Sequence, residues 1–297
     1  MKVFAIKMLF FIVLFFAADL ISGRIIGYLH LNTKNINLKN SNYGFTESYK
    51  DDVVFFGDST VSHSFIPEKI IVETGLSSYN FASDGCGIYY QYPLLETILD
   101  KHTPKVILIS SHQLIESGSD YLSRIYPYYR TNKYVRKIVN KIHPKASIKL
   151  LFNGYIYNSK IIRILDSRND NSLGYVALSP RLNIDTSQVD LKLPQGNNHE
   201  ISKEVESYFI EFIKKSTSSG SKVYVYIPPA LEKINSFYLK KIKNITKNTK
   251  AKLIDFSSDN SFLNHKELFN DKIHLNHNGA KVMTDKFMKI LKDDLVY

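Results

Sequence analysis

The chain is 297 residues long, 44% hydrophobic and 23% charged, which suits one large globular domain or two small ones. Its 39 lysines and arginines stand against 28 acids, and the resulting charge of +11 points to anionic partners: nucleic acid, a membrane surface or an acidic glycan. A single cysteine, Cys86, excludes an intramolecular disulfide framework and a cysteine-rich zinc module, and the composition excludes collagen-like and low-complexity chains.

The first element is apolar. Met8 to Ala18 is unbroken, and the stretch from Val3 to Leu29 is interrupted by Lys7, Asp19, Ser22 and Arg24. A helix needs about 20 apolar residues to cross the hydrocarbon layer, and Lys7 can snorkel to one face. A cleavable signal peptide shares this pattern, although Ala17-Ala18-Asp19 is a poor cleavage site and apolar residues resume after it. A buried core helix is the third reading. Basic residues flank both ends, so they do not set orientation. The short amino-terminal tail makes export of the long remainder the simpler arrangement. Residues 1–29 are therefore expected as an anchor or signal segment. The polar, asparagine-rich residues 30–50 are expected as a linker, and 51–297 as an α/β domain.

Within that domain Asp52–Phe56 reads as a buried strand ending at Gly57, and Pro67 opens a helix that Gly75 closes. Ser78–Phe81 is a second strand, followed by a helix from Tyr89 to about Asp100. Lys105–Ile109 is a third strand, Lys222–Ile227 a fourth, and a helix from about Leu231 to Asn248 leads to a strand at Lys252–Asp255. A closing helix begins near Asn278, with Val282, Phe287, Ile290 and Leu291 at helical spacing. Such alternation predicts a three-layer, doubly wound parallel α/β sheet with functional groups at the carboxyl ends of its strands.

Residues of about 115–200 break this rhythm and read as a mostly helical insertion, with a helix between Lys133 and Ile142. Residues 121–165 hold no acid and ten cations: Arg124, Arg130, Lys133, Arg136, Lys137, Lys141, Lys145, Lys149, Lys160 and Arg163. Nearly all of the chain's excess charge therefore sits here. Anionic lipid or glycan is the expected partner, a solvated face is the alternative, and an exported tethered domain leaves no role for nucleic acid.

Two segments carry chemistry. Phe55-Phe56-Gly57-Asp58-Ser59-Thr60 places a serine just after a buried strand, and Asn270-Asp271-Lys272-Ile273-His274-Leu275-Asn276 places a carboxylate three residues before an imidazole. A serine hydroxyl is a weak nucleophile until a base takes its proton, and the base needs an orienting acid. Ser59, His274 and Asp271 can supply those three roles.

These blocks resemble the SGNH/GDSL family of serine esterases and acyltransferases. Gly57-Asp58-Ser59 is similar to its first block, Asn80-Phe81-Ala82-Ser83-Asp84-Gly85 to its second, and Asp271-Lys272-Ile273-His274 to its last. The continuation His274-Leu275-Asn276…Gly279-Ala280 resembles members with one amino-terminal membrane helix. The resemblance spans residues 52–115 and 220–292. It implies an SGNH-hydrolase, flavodoxin-like fold, a catalytic trio of Ser59, Asp271 and His274, and oxyanion donors on Ser59 and Gly85. No cofactor and no metal are expected. The expected substrate is an acylated polysaccharide or related polymer at a bacterial cell envelope, with the catalytic domain outside the cytoplasm.

The third block departs from the family pattern. Gly-x-Asn-Asp is expected after the third strand, and Ile109-Ser110-Ser111-His112-Gln113 stands there, so His112 or Gln113 takes the place of the asparagine donor. A catalytically weak or inactive member that binds anionic glycan is accordingly the alternative function. The bland readings are that Asp58 and Ser59 cap a helix, that Asp271 and His274 bond locally, that Asp271, His274 and His277 hold a metal, and that His63 is a surface or supporting residue.

Overall fold

Residues 1–47, 50–158, 160–165, 172–180, 201–231 and 234–295 are described by the structure, a computed structural model. In chain order the helices and strands are α1 (Lys2–Leu31), α2 (Ile36–Thr46), β1 (Val53–Phe56), α3 (Ser59–Ser62), α4 (Pro67–Thr74), β2 (Ser78–Asn80), α5 (Ile88–Leu99) and β3 (Val106–Ser110). Then come α6 (Lys133–Ile142), α7 (Ala146–Lys149), α8 (Asn153–Tyr157), α9 (Ile161–Leu165), α10 (Lys203–Ser218) and β4 (Lys222–Ile227). The chain ends with α11 (Ser236–Thr249), β5 (Lys252–Asp255), α12 (Asn260–Leu263) and α13 (His277–Leu295).

The chain divides into two units, residues 1–46 with 122–170 and residues 47–121 with 171–297. The second is built on a five-stranded parallel sheet ordered β2-β1-β3-β4-β5. That is the doubly wound, flavodoxin-like order. It forms because the strands are apolar on both sides: every residue of β1 and β3 is buried. Alternate side chains feed two cores. Val53, Phe55, Leu108 and Tyr226 pack with Ile70 of α4 and with Met283, Phe287 and Leu291 of α13. Phe56, on the opposite face, meets Phe212 of α10 edge-on. The sheet is thus covered on both faces, as the strand–helix alternation predicts. The reversal of strand order lies between β1 and β3, where ligand sites of such sheets form.

Element α10 is absent from the sequence reading, although Val205, Tyr208, Phe209, Phe212, Ile213 and Ser216 recur at helical spacing and are buried. Residues 172–180, counted there in the insertion, belong to the sheet unit. The remainder of the 115–200 insertion includes residues 166–171 and 181–200, which lie outside the described residues.

The other unit holds the apolar helix and the basic segment. α1 has 30 residues and is long and apolar enough to cross a membrane. Its large apolar residues are exposed from Val3 to Ile21, whereas Gly23 and His30 are buried. Within 30–50, read from sequence as a linker, residues 36–46 are helical because α2 has company: Leu38 and Phe45 are buried, and Asn42 donates to the His30 carbonyl at 2.6 Å. The remaining helices, α6 to α9, make the segment mostly helical. In α6, Val135, Ile138 and Val139 face inward while Lys133, Arg136, Lys137 and Lys141 are exposed.

Candidate active site

Ser59 stands on the turn that follows β1. Gly57 permits that turn: its φ is +155°, and a Cβ there would lie 2.7 Å from Val61 and 2.9 Å from Ser110. Asp58 accepts the Thr60 backbone N–H at 3.0 Å and the Thr60 hydroxyl at 2.6 Å, which caps α3 and sets the Ser59 backbone. Among the described residues, the Ser59 and Gly85 N–H groups donate to no protein acceptor.

The Asp271–His274 loop arrives from the far end of the chain. Asp271 Oδ1 accepts the backbone N–H groups of Ile273 and His274, both at 3.0 Å. Asn276 then ties this loop to α13: its Oδ1 accepts the Asn278 and Gly279 N–H groups, and its Nδ2 donates to the Glu267 and Phe269 carbonyls. Gly279 allows the close approach, since a Cβ there would lie 2.2 Å from the Leu268 carbonyl oxygen.

The fold brings the three predicted residues together. His274 Nε2 lies 2.7 Å from Ser59 Oγ, and His274 Nδ1 lies 2.8 Å from Asp271 Oδ2. A carboxylate only accepts, so Nδ1 carries the proton and Nε2 is left to accept from the serine hydroxyl. Burial works against ionising Asp271, but the His274 ring and the loop N–H groups outweigh it and hold the carboxyl well below the usual range.

Gly85 occupies a left-handed turn at φ +70°, and the ring of Tyr121 lies close enough that a Cβ on Gly85 would meet it at 2.8 Å. Asn80 braces the strand that leads into this loop: it donates to the Val61 and Phe65 carbonyls and accepts from Ala82. Cys86 is buried, and Gln113 donates its side-chain amide to the Cys86 carbonyl at 3.1 Å. Gln113 is itself fully buried, so it braces the loop and is not an exposed donor.

His112 has a different partner. Its Nδ1 donates to Asp58 Oδ2 at 3.1 Å. Burial opposes both charges, yet their mutual attraction prevails, lowering the Asp58 carboxyl and raising the His112 imidazole. In the sequence Asp58 belongs to the Gly57-Asp58-Ser59 block, with helix capping as the alternative, and His112 stands where asparagine is expected; no local signal records their pairing. Parallel pairing in which Phe56 lies beside Ile109 is what brings these two strand ends together.

A second imidazole is involved. His63 is 4% exposed, so it is not a surface residue, and its ring meets His274 edge-on at 5.6 Å between centroids. His63 Nδ1 donates to the Val176 carbonyl at 2.7 Å, and Nε2 faces Asp84 at 3.4 Å. Burial disfavours the cation, but Asp84 raises the imidazole; against the same penalty His63 and Ser62 draw Asp84 down to about 2. His277, part of the alternative metal set, pairs through Nδ1 with the Tyr175 hydroxyl at 3.0 Å. No cluster of three or more metal-ligating side chains occurs among the described residues.

The chain is similar in structure to solved esterases and lipases. An acetyl xylan esterase matches at 16% identity and a TM-score of 0.41, over 82% of this chain and 99% of its own. A psychrotrophic esterase from Pseudoalteromonas sp. matches at 14% and 0.39, over 83% and 100%. A GDSL-like lipase from Bacteroides thetaiotaomicron matches at 12% and 0.40, over 90% and 100%. No family model and no curated protein matches the chain.

Proposed function

We propose that this chain is an SGNH/GDSL-type serine enzyme of acyl transfer, an esterase or O-acyltransferase. The observation that carries the reading is the unbroken relay Asp271–His274–Ser59, with both links under 3 Å. As the Ser59 oxygen attacks an ester carbonyl, its proton passes to His274 Nε2, and the ionised Asp271 stabilises the imidazolium that forms. The free N–H groups of Ser59 and Gly85 are the proposed oxyanion donors. His112 has Nδ1 committed to Asp58, so only its Nε2 is left to serve as a third. His274 returns the proton to the leaving alcohol. The acyl-enzyme then yields to water in an esterase, or to a sugar hydroxyl in an O-acyltransferase.

The proposed substrate is an acylated polysaccharide or related polymer of a bacterial envelope. Support comes from the motif resemblance and from α1, read as an anchor that holds the catalytic unit outside the cytoplasm. The acid-free stretch of residues 121–165 is the proposed contact with anionic lipid or glycan.

Incubation of the intact protein with a fluorophosphonate probe tests the reading. Stable labelling at Ser59 that disappears in Ser59→Ala supports it. Folded protein that fails to label while retaining glycan binding favours an inactive binding protein, a reading that the buried Gln113 amide encourages.

A further inference from the structure

The turn between α7 and α8 combines features that a water-facing loop does not need. Ile148 and Leu151 are each 70% exposed, and Phe152 beside them packs on α1, its ring centroid 6.1 Å from that of Phe15 and 5.9 Å from that of Phe16. Phe15 and Phe16 belong to the fully apolar part of α1, only three to four residues before Asp19, or about 5 Å along a helix. The Leu151–Phe152 tip therefore reaches below Asp19, the first acidic residue of α1, to the depth where hydrocarbon begins if α1 crosses a bilayer.

The polar backbone of this tip is satisfied in a manner suited to that depth. Asp19 of α1 accepts the N–H groups of Asn153 and Gly154, each at 2.9 Å. Arg130 donates to the Leu150 and Leu151 carbonyls at 2.9 and 2.7 Å and to the Asn153 side chain at 3.0 Å. Backbone groups left bare near hydrocarbon are costly, and here one carboxylate and one guanidinium cover the turn from its two ends. Gly23 lets the parts close, because a Cβ there would collide with Asn153 at 2.3 Å. Lys145 and Lys149 are exposed alongside, with no acid anywhere in residues 121–165. Apolar side chains flanked by lysines are the composition of an element that sits in an anionic headgroup layer.

We infer that the α7–α8 turn is a membrane-interface wedge: Ile148, Leu151 and Phe152 enter the outer edge of an anionic phospholipid bilayer beside α1, and Lys145 and Lys149 stay at the phosphates. The inference rests on the reading of α1 as a retained anchor, and the occupant is lipid, not polysaccharide.

The chain contains no tryptophan, so single substitutions give isolated fluorescent reporters. The full-length protein, carrying Leu14→Trp, Ile148→Trp or Leu151→Trp one at a time, is reconstituted into phosphatidylcholine–phosphatidylglycerol vesicles containing phospholipid brominated on its acyl chains. The expected result is loss of emission for all three. Bromines near the headgroup end quench Ile148→Trp and Leu151→Trp best, those near the chain end quench Leu14→Trp best, and acrylamide reaches none of them well. Quenching of Leu14→Trp alone, with acrylamide quenching the other two, overturns the wedge and leaves the anchor standing. A blue shift of Ile148→Trp and Leu151→Trp with soluble anionic polysaccharide, without bromine quenching, overturns it in favour of glycan. Failure of bromines to quench even Leu14→Trp removes the anchor reading and the wedge with it.

Discussion

His112 donates to Asp58 across the ends of β3 and β1, so the residue immediately before Ser59, the proposed nucleophile, is held by an imidazole from the neighbouring strand. Asp58 is 7% exposed and also accepts twice from Thr60, so it is a buried, fully used carboxylate. Removing one partner of such a pair leaves an uncompensated buried charge, which costs about 3–5 kcal/mol. His112→Ala is therefore expected to lower stability by roughly that amount. Asp58→Asn combined with His112→Ala should cost less than the sum of the two single changes. Denaturant melts of the four proteins in a double-mutant cycle measure the coupling, and additive losses would mean that the two residues act independently.

For the relay, Ser59→Ala and His274→Ala should each reduce kcat by about 10⁴–10⁶-fold, with the double variant no worse than the singles, because a triad works as one unit. Asp271→Asn should cost about 10³–10⁴-fold while keeping the fold, since it removes the negative acceptor that selects the Nδ1–H form of His274. Turnover of a chromogenic ester checks both points. Additive losses would separate the residues into independent roles.

The pH dependence of stability has a definite sign. His63 and His112 both have imidazoles raised in the folded protein, so their stabilisation is complete below the unfolded value of about 6.5 and drains away as pH rises through the folded values. Asp58, Asp84 and Asp271 are lowered, so their contribution is complete above about 4 and is lost as pH falls toward their folded values. Thermal midpoints should thus fall on both sides of a plateau at mildly acidic pH. In His63→Gln the alkaline fall should be shallower than in the parent, and an identical slope would deny His63 its charge pair with Asp84.

Asn276 offers a test of how the loop is held. Losing a helix cap costs about 0.5–2 kcal/mol, and Asn276 also secures the Glu267 and Phe269 carbonyls. Asn276→Ala should destabilise the protein by about 2 kcal/mol or more and lower kcat through a misplaced His274. Asn276→Asp, which keeps the acceptor for the Asn278 and Gly279 N–H groups, should recover part of the stability. Calorimetry and turnover on the two variants distinguish the cap from the carbonyl bonds.

Much of this protein was legible along the chain. Runs such as Val53–Phe56 and Lys222–Ile227 are apolar, short and bounded by glycine or proline, and that local physics suffices to name them as strands. Ser59 after Gly57-Asp58, and His274 three residues after Asp271, could be picked out because each block carries its own turn chemistry. The apolar character of α1 and the acid-free basic stretch were equally plain, being properties of composition alone.

Only the tertiary structure could decide what meets across distance. Parallel pairing of β1 with β3 turns Asp58 and His112 into a hydrogen-bonded pair, and the return of the chain through β5 brings His274 to Ser59 over 215 residues of separation. Packing makes His63 a buried neighbour of that site facing Asp84 instead of a surface residue, and packing on α1 turns polar residues 36–46 into a helix. The reason is common to all four. Periodicity and turn residues record what each segment prefers by itself, whereas a side chain's charge, partners and exposure are set by groups that other segments bring to it.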